Sequence, residues 1–339
     1  MYHTNGKLQL HSLSPGFYSM PHYMDACNYL KRVGTYRSVP INKHIATSRS
    51  SKSKVCYSSL NSSENSMNLS ENSMISDARV IYCVAPAMGH NKESHPESHL
   101  RVPAITTALE KMQLNERFRG SEVIELKDFK LAAIDDIERV HSKAYVAGLE
   151  QAVNRAPQQG VIFIDGTGPT YATATTFQES LVAAGAGIAL IDSVVTASKI
   201  SQKPPTAFAL IRPPGHHAIP KGPMGFCVFG NIAVAARYAQ SVHAMKRVFI
   251  IDFDVHHGNG TNDVFYEDPD VYFLSVHQDG TYPGTGKITE TGKGDGEGAT
   301  LNLPIPGGSG DMAMRAIFDD VIVPCAQRFK PDIILVSAG

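Results

Sequence analysis

Two aspartates and a histidine stand two residues apart in one short segment of the sequence. Asp252, Asp254 and His256 have this spacing, and in extended backbone such residues face the same side. Two carboxylates and an imidazole, without a thiolate, form a donor set typical of Zn²⁺ or of Fe²⁺. We therefore predict a metal site here. The alternative interpretation is that the aspartates cap the following helix and that the histidines are ordinary loop residues.

A pair of adjacent histidines, His216 and His217, follows the sequence Pro-Pro-Gly. The prolines stiffen the turn, and the glycine permits a close approach of the backbone. Histidine pairs in loops are more often surface features than catalytic ones. The acid-rich segment elsewhere in the chain favours catalysis, because an attacking water needs a base and each imidazole needs an acceptor that fixes its tautomer. Asp252 and Asn259 are the candidate acceptors.

Other catalytic signatures are incomplete. The glycine-rich segment 280–287 lacks the leading glycine of a phosphate-binding loop, and Ile288 stands where that loop has Ser or Thr. The G-x-S-x-G turn of α/β hydrolases is absent. Cys227 follows Phe226 in an apolar stretch and is interpreted as a packing residue. Nucleotide binding and serine hydrolase chemistry are therefore unsupported.

Runs of β-branched and aromatic residues precede these segments and alternate with longer stretches of helical periodicity, which predicts an α/β fold around a parallel sheet. The predicted strands are Val80–Val84, Val161–Ile164, Ala207–Ile211, Val248–Ile251, Val271–Val276 and Ile333–Ser337. The predicted helices are Val102–Met112, Thr176–Ala197, Ile232–Gln240 and Met312–Phe329. Three of these strands lead into the histidine pair, the acid-histidine segment and His277, so their polar residues are expected on one side of the sheet.

The composition excludes several classes of protein. The chain has 339 residues, 42% of them hydrophobic, and a formal net charge of -1, which gives no electrostatic reason to expect direct binding of nucleic acid or of an anionic membrane. The longest apolar run, Leu181 to Ile191, is shorter than the roughly 18 to 20 residues of a membrane span. Five cysteines without a CxxC pair argue against a disulfide framework and against a zinc knuckle.

The first 77 residues differ from the rest. Residues 1–60 hold eight Lys and Arg and one acid, and residues 48–74 are serine-rich and contain SENSM twice. We predict a disordered leader over 1–77 and a single domain from 78 to 339. A basic, acid-poor, serine-rich N-terminus is typical of an organelle transit peptide, although a plain disordered tail has the same composition.

Several motifs together resemble the zinc-dependent histone deacetylase family. They are Arg212-Pro-Pro-Gly-His-His-Ala218, Gly225-Phe-Cys227, Asp252-Phe-Asp-Val-His-His-Gly-Asn-Gly-Thr261 and Tyr282-Pro-Gly-Thr-Gly286, with weaker likeness in His90-Asn-Lys-Glu-Ser-His-Pro-Glu97 and Val140-His-Ser-Lys-Ala-Tyr145. The likeness runs from about residue 79 to the last residue. Asn259, where class I members carry Asp, indicates class II. The plastid-type plant members are the most similar, which agrees with the transit-like leader and implies a plastid location, with nucleus or cytoplasm as the alternative.

The resemblance implies an arginase-like α/β three-layer sandwich and a role for each matched residue. Asp254 and His256 would bind zinc. His217, held by Asn259, would be the general base and acid, and His216, oriented by Asp252, its electrostatic partner.

The resemblance also implies a structural potassium ion and a narrow channel for an acyl-lysine side chain. The potassium ligands would be Asp252, Asp254, His256, Ser275 and Val276, partly through backbone oxygens. Phe226, which follows Gly225, and Tyr282 would form the channel walls, and Asp165 would be the acidic residue at the rim that anchors the substrate backbone.

The family pattern is incomplete in the printed sequence. The family's third zinc ligand is an Asp two residues beyond Ser-Ala-Gly, and its oxyanion-stabilising Tyr lies further downstream, whereas the printed sequence ends at Gly339. We therefore expect an incomplete catalytic domain with weak zinc binding, little or no deacetylase activity and uncovered apolar surface near Ile333–Ser337. Three functions stay open for the lineage: hydrolysis of acetyl-lysine in proteins, hydrolysis of small acetylated amines, and acetyl-lysine binding without catalysis.

Overall fold

Parallel strands alternating with helices form the framework of the computed structural model, which describes Ile75 and residues 78–164 and 169–339. The strands are β1 (Val80–Ala85), β2 (Val123–Glu125), β3 (Ile162–Phe163), β4 (Tyr171–Ala172), β5 (Thr206–Ile211), β6 (Val248–Asp252), β7 (Val271–Gln278), β8 (Thr300–Ile305) and β9 (Ile333–Ser337). The helices are α1 (Arg101–Lys111), α2 (Glu116–Arg119), α3 (Ile134–Glu138), α4 (Lys143–Gln159), α5 (Thr176–Ile200), α6 (Asn231–His243), α7 (Asn259–Phe265), α8 (Asp311–Ile317) and α9 (Val323–Phe329). Except for Ile75, the predicted leader lies outside the described residues.

Two parallel sheets carry the strands that lead into the predicted site. One has the order β2-β1-β5 and the other the order β8-β7-β6-β9, and β3 and β4 form a separate antiparallel pair. Every residue of β6 is buried, as expected for a strand with a parallel neighbour on each side and helices across its faces. The α/β class is therefore confirmed.

The long helix α5 is the centre of the hydrophobic core. It packs against β1, β5 and α6, and its buried side chains join the core cluster built around α4, α6 and β6. By length and composition it could cross a membrane, and it is the one such helix among the described residues. However, 61% of the most apolar 18-residue stretch of this helix is buried inside the protein, as expected of a core helix.

The element predictions were wrong at several places. Within the predicted strand Val161–Ile164, the observed strand is the residue pair Ile162–Phe163. This pair forms antiparallel hydrogen bonds with Tyr171–Ala172 instead of joining a parallel sheet. The prediction missed β8, which contains Asn302 and Pro304. A proline is tolerated there because β8 lies at the edge of its sheet. The predicted helix Met312–Phe329 begins one residue earlier, and a π-helical turn at Phe318–Ile322 interrupts it.

Strand β9 leaves apolar side chains uncovered. It pairs with β6 along one side, and Ile334 and Val336 are 50% and 45% exposed. Phe208 on β5, the edge strand of the other sheet, is also 50% exposed. The expectation of uncovered apolar surface near Ile333–Ser337 is therefore confirmed.

Candidate active site

The loops that leave β5 and β6 meet, although these strands belong to different sheets. The side chain of His216 contacts that of Asp252, with 3.0 Å between Nδ1 and Oδ2. The first turn of α7 holds the same loop, because the N–H groups of Gly260 and Thr261 both donate to the carbonyl oxygen of His216. The histidine pair and the acid-histidine segment therefore form one site.

His217 is a neutral imidazole with one ring nitrogen committed to structure. Its Nδ1 lies 2.8 Å from Oδ1 of Asn259, and the amide of Asn259 is oriented by a 3.4 Å contact from its Nδ2 to Sδ of Met224. An amide oxygen accepts, so Nδ1 of His217 carries the proton and Nε2 is left as the proton acceptor. Burial, with help from the neighbouring His216, lowers the pKa of His217 to about 3.

The surroundings of His216 favour its protonated form. Burial alone would disfavour its protonated form, but the carboxylates of Asp252 and Asp254 outweigh it and raise the pKa of His216 above the usual value. The two imidazole rings lie 3.9 Å apart, centroid to centroid. Adjacent groups whose pKa values are moved apart are typical of a catalytic acid-base pair.

Asp254 and His256 come together by a route that the sequence argument did not foresee. The chain bends after Asp252 instead of continuing as an extended strand, so the expectation based on strand alternation was wrong. Backbone N–H groups donate to successive carboxylates: that of Asp254 to Oδ1 of Asp252, and that of His256 to Oδ1 of Asp254. These bonds fold the segment so that Nδ1 of His256 lies 3.1 Å from Oδ1 of Asp254.

The helix-capping alternative fails for this segment. The residue before α7 is Gly258, and no side chain caps that helix end. The carboxylates of Asp252 and Asp254 instead accept hydrogen bonds from their own segment and from His216.

The donor set at Asp254 and His256 fits part of a zinc site. A carboxylate and an imidazole whose donor atoms converge are ordinary zinc ligands, and both side chains are partly exposed. Among the described residues, no group of three or more His, Cys, Asp or Glu side chains is arranged to hold a metal ion. The backbone of Gly339 reaches this point as well, since a Cβ on Gly339 would lie 2.7 Å from Oδ2 of Asp254.

The residues expected around potassium lie beneath this segment. Asp252 and Ser275 are partners in the pairing of β6 with β7, and both are fully buried. Oγ of Ser275 lies 2.9 Å from Nδ1 of His277, and Val276 is also buried. Nε2 of His277 donates to a carbonyl oxygen, so its Nδ1 accepts from the Ser275 hydroxyl.

Two of the expected channel residues, Gly225 and Tyr282, lie against His217. The ring of Tyr282 stands perpendicular to that of His217, with 5.0 Å between centroids. Gly225 has a positive φ of 54°, and a Cβ there would lie 2.5 Å from Cδ2 of His217 and 2.9 Å from Cε1 of Tyr282, so only glycine fits. Phe226 packs edge-on against His95. Asp165, the expected rim residue, lies outside the described residues.

The sequence analysis missed a buried ion pair next to the site. Arg212, at the end of β5, is fully buried and forms two bonds with the carboxylate of Glu97, of 2.5 and 2.6 Å. It also donates to the backbone oxygens of Pro86, Ala87 and His90. Both residues belong to motifs that resemble the deacetylase family, but nothing in the two motifs indicated that these side chains form an ion pair. Cys227 is buried, and burial raises the pKa of its thiol, as expected for a packing residue.

A second buried group that the sequence analysis missed is His141. Its Nδ1 donates to the carbonyl oxygen of Ile219, and its Nε2 accepts from the N–H of Gly230. Burial lowers its pKa to about 4. Protonation would therefore cost the bond from Gly230 as well as the burial of a charge.

We expect His141 to make the protein sensitive to acid. Because its pKa is lower in the folded than in the unfolded state, its contribution is fully present above about pH 6.5 and is lost as the pH falls towards about 4. In that window the free energy of unfolding should fall by up to about 1.4 kcal/mol per pH unit from this group. Urea denaturation of wild type and of His141→Gln at pH 7.5, 6.5, 5.5 and 4.5 measures this. Gln keeps a donor and an acceptor but does not titrate, so an equally steep fall in both proteins would contradict the prediction.

The chain is similar to known histone deacetylases. A model of the histone deacetylase domain matches residues 95–339, and the chain belongs to this family. Histone deacetylase 14, chloroplastic, of Arabidopsis thaliana is 69% identical over 265 residues, which cover 78% of this chain and 63% of that protein. Histone deacetylase 10, chloroplastic, of Oryza sativa subsp. japonica is also 69% identical, over 266 residues, covering 78% of this chain and 60% of that protein. The chain therefore matches less than two thirds of the length of either plant protein.

A solved structure supports the fold. The crystal structure of the HDA15 HD domain superposes with a TM-score of 0.69 at 30% sequence identity, covering 77% of this chain and 73% of that one. This confirms the deacetylase-like α/β architecture that the sequence motifs implied.

Proposed function

We propose that this chain is the catalytic part of a zinc-dependent deacetylase that hydrolyses N-acetyl-lysine in proteins. The observation that carries the proposal is the pair of adjacent imidazoles with opposite charge preferences. His217 is neutral with Nε2 free, and His216 is biased toward the cation by Asp252. The similarity to the two plant histone deacetylases supports the same reaction.

Asp254 and His256 would hold the zinc ion, and Asp252, Asp254, His256, Ser275 and Val276 would surround the potassium ion. Zinc supplies Lewis acidity toward the acetyl carbonyl and the attacking water. Asp252 keeps His216 in place through its Oδ2, while its Oδ1 fixes the bend that leads to Asp254.

The proton transfers fall to His217. Its Nε2 accepts a proton from the attacking water as the water oxygen bonds to the acetyl carbon, and it returns that proton to the lysine nitrogen as the C–N bond breaks. Asn259 keeps Nδ1 protonated throughout, so Nε2 alone takes part. Protonated His216, the form that Asp252 and Asp254 favour, would stabilise negative charge on the reacting oxygen. The products are acetate and a free amine.

The substrate channel would lie between Phe226 and Tyr282, with Gly225 against His217 and Tyr282. The lysine that carries the acetyl group would belong to a histone or to a non-histone protein. A panel of acetylated histone peptides, non-histone peptides and small acetylated amines would separate these substrates. Acetyl-peptide binding without turnover would instead support a non-catalytic module.

We expect the polypeptide 78–339 to hydrolyse an acetyl-lysine reporter at least about a hundredfold more slowly than one that continues past Gly339 with the plant relatives' sequence. In the shorter polypeptide, Asp254 and His256 would give zinc two protein ligands. It would also lack the tyrosine that stabilises the oxyanion in the family, and the loss of one such donor costs about 10²–10³ in kcat. Reporter hydrolysis and zinc content, measured on both polypeptides, test this. Equal rates would contradict it, and an inactive, zinc-free longer polypeptide would refute the proposed function.

We propose that the protein acts in the plastid. The basic, serine-rich composition of residues 1–60 and the chloroplastic names of the two plant relatives support this. A fluorescent fusion to residues 1–77 that stays in the cytoplasm or enters the nucleus would refute it.

A further inference from the structure

Two buried histidines hold the segment that carries Tyr282. We call residues 281–290 the Tyr282 loop. Nε2 of His277 donates to the carbonyl oxygen of Gly286, at 3.0 Å, and Nδ1 of His257 lies 2.8 Å from the hydroxyl of Thr285. The two imidazoles come from different elements, the end of β7 and the segment before α7, yet their centroids are only 4.9 Å apart.

The loop backbone is pressed against both rings. A Cβ on Gly286 would lie 2.6 Å from Cγ of His257 and 2.6 Å from Nε2 of His277, and its φ is +84°. Both histidines are buried, whereas Thr285 is exposed. The loop therefore reaches into the protein at Gly286 and lies on its surface on either side.

The far end of the loop is fixed in the same way. The N–H of Gly286 donates to Oε2 of Glu290, at 3.0 Å, and Nδ2 of Asn302 on β8 donates to the carbonyl oxygen of Glu290, at 3.1 Å. Both backbone polar groups of Gly286 are thus bound by side chains. The sheet residues His277 and Asn302 hold the segment at Gly286 and at Glu290, and His257 holds it at Thr285.

Tyr282 stands three residues before the first of these contacts, and its ring packs against His217. We propose that His257 and His277 are positioning residues: by holding Thr285 and Gly286 they keep the ring of Tyr282 against His217 and so set the width of the acyl channel. The channel part rests on the proposed function. The anchoring of Tyr282 does not, because it depends only on the contacts above.

A matched pair of variants tests the anchoring. Thr285→Val removes the hydroxyl at nearly constant shape, and Thr285→Ser keeps it. Hydrogen exchange of a peptide covering 281–290 should be about fivefold faster in Thr285→Val, the effect of one lost hydrogen bond, and unchanged in Thr285→Ser. A peptide covering α5 is the internal control and should exchange equally in all three proteins.

NMR spectroscopy reports on the position of the Tyr282 ring itself. The ring-current shift that Tyr282 imposes on the imidazole proton resonances of His217 should shrink in Thr285→Val and persist in Thr285→Ser. His277→Leu should act like the valine variant, and His277→Gln, which keeps a donor near the position of Nε2, should act like wild type. If His277→Leu does not fold, the Thr285 pair still decides, because Thr285 is exposed.

The last arm separates this inference from the proposed function. An acetyl-lysyl peptide should bind Thr285→Val about fivefold more weakly than Thr285→Ser, the effect of one lost hydrogen bond. If Thr285→Val shows the hydrogen-exchange rate and the ring-current shift of the wild-type protein, the anchoring is overturned whatever the binding result. If hydrogen exchange is faster in Thr285→Val but the two variants bind the peptide equally well, the channel part is overturned. If the wild-type protein binds no acetyl-lysyl peptide, that part is overturned together with the proposed function.

Discussion

Replacing Glu97 by glutamine is expected to lower the free energy of unfolding by about 3–5 kcal/mol, because it leaves the charge of Arg212 buried without its partner. Arg212 is fully buried and Glu97 nearly so, with bonds of 2.5 and 2.6 Å between them. Urea denaturation at pH 7.5 measures the change. The loss should also loosen the segment that contains His90, whose carbonyl oxygen Arg212 binds.

The surface offers a matched control for this ion pair. Glu110 and Arg117 are joined at 3.1 Å, but their side chains are 53% and 73% exposed, so Glu110→Gln should cost about 1 kcal/mol or less. A second comparison is the double variant Glu97→Leu, Arg212→Met, which removes both charges and should be less destabilised than Glu97→Gln alone. Equal effects of Glu97→Gln and Glu110→Gln would contradict the assignment.

Replacing His217 by alanine is expected to lower kcat by about 10²–10⁴ in a polypeptide that continues past Gly339 and hydrolyses acetyl-lysine. The loss follows from the free Nε2 of His217, a neutral imidazole whose Nδ1 is held by Asn259. Zinc content should not change, because His217 is not among the expected ligands. Steady-state kinetics and metal analysis on the same preparation test both statements.

Variants at Asn259 separate a catalytic from a structural role for His217. Asn259→Asp keeps the acceptor but adds a negative charge 2.8 Å from Nδ1, so the pKa of His217 rises and the acid limb of the kcat/KM profile should move to higher pH. Asn259→Leu removes the acceptor and should lower kcat at every pH. An unmoved acid limb in Asn259→Asp would mean that His217 is not the titrating base.

The class of fold and the place of the site were predictable from local sequence. Buried strands such as Val248–Asp252 carry continuous β-branched and aromatic residues, and polar residues follow them directly. Neighbouring parallel strands such as β6 and β7 end at a common edge, so the polar residues that follow them were expected to lie close together. The approach of the histidine pair, which follows β5 in the other sheet, was decided by the tertiary structure. The motif around His216 and His217 is specific enough to indicate the family, which the domain match confirmed.

What the sequence by itself determined is the α/β class, the family and the residue types that meet at the site, because these depend on strand order and on contacts close in the chain. Only the tertiary structure decided how those residues work. The bend at Asp254, the opposite charge preferences of His216 and His217, and the burial of Arg212 on Glu97 all depend on which groups surround a side chain from distant segments. Arg212 and Glu97 are 115 residues apart. Desolvation and partner charges act through space, so no local pattern carries them.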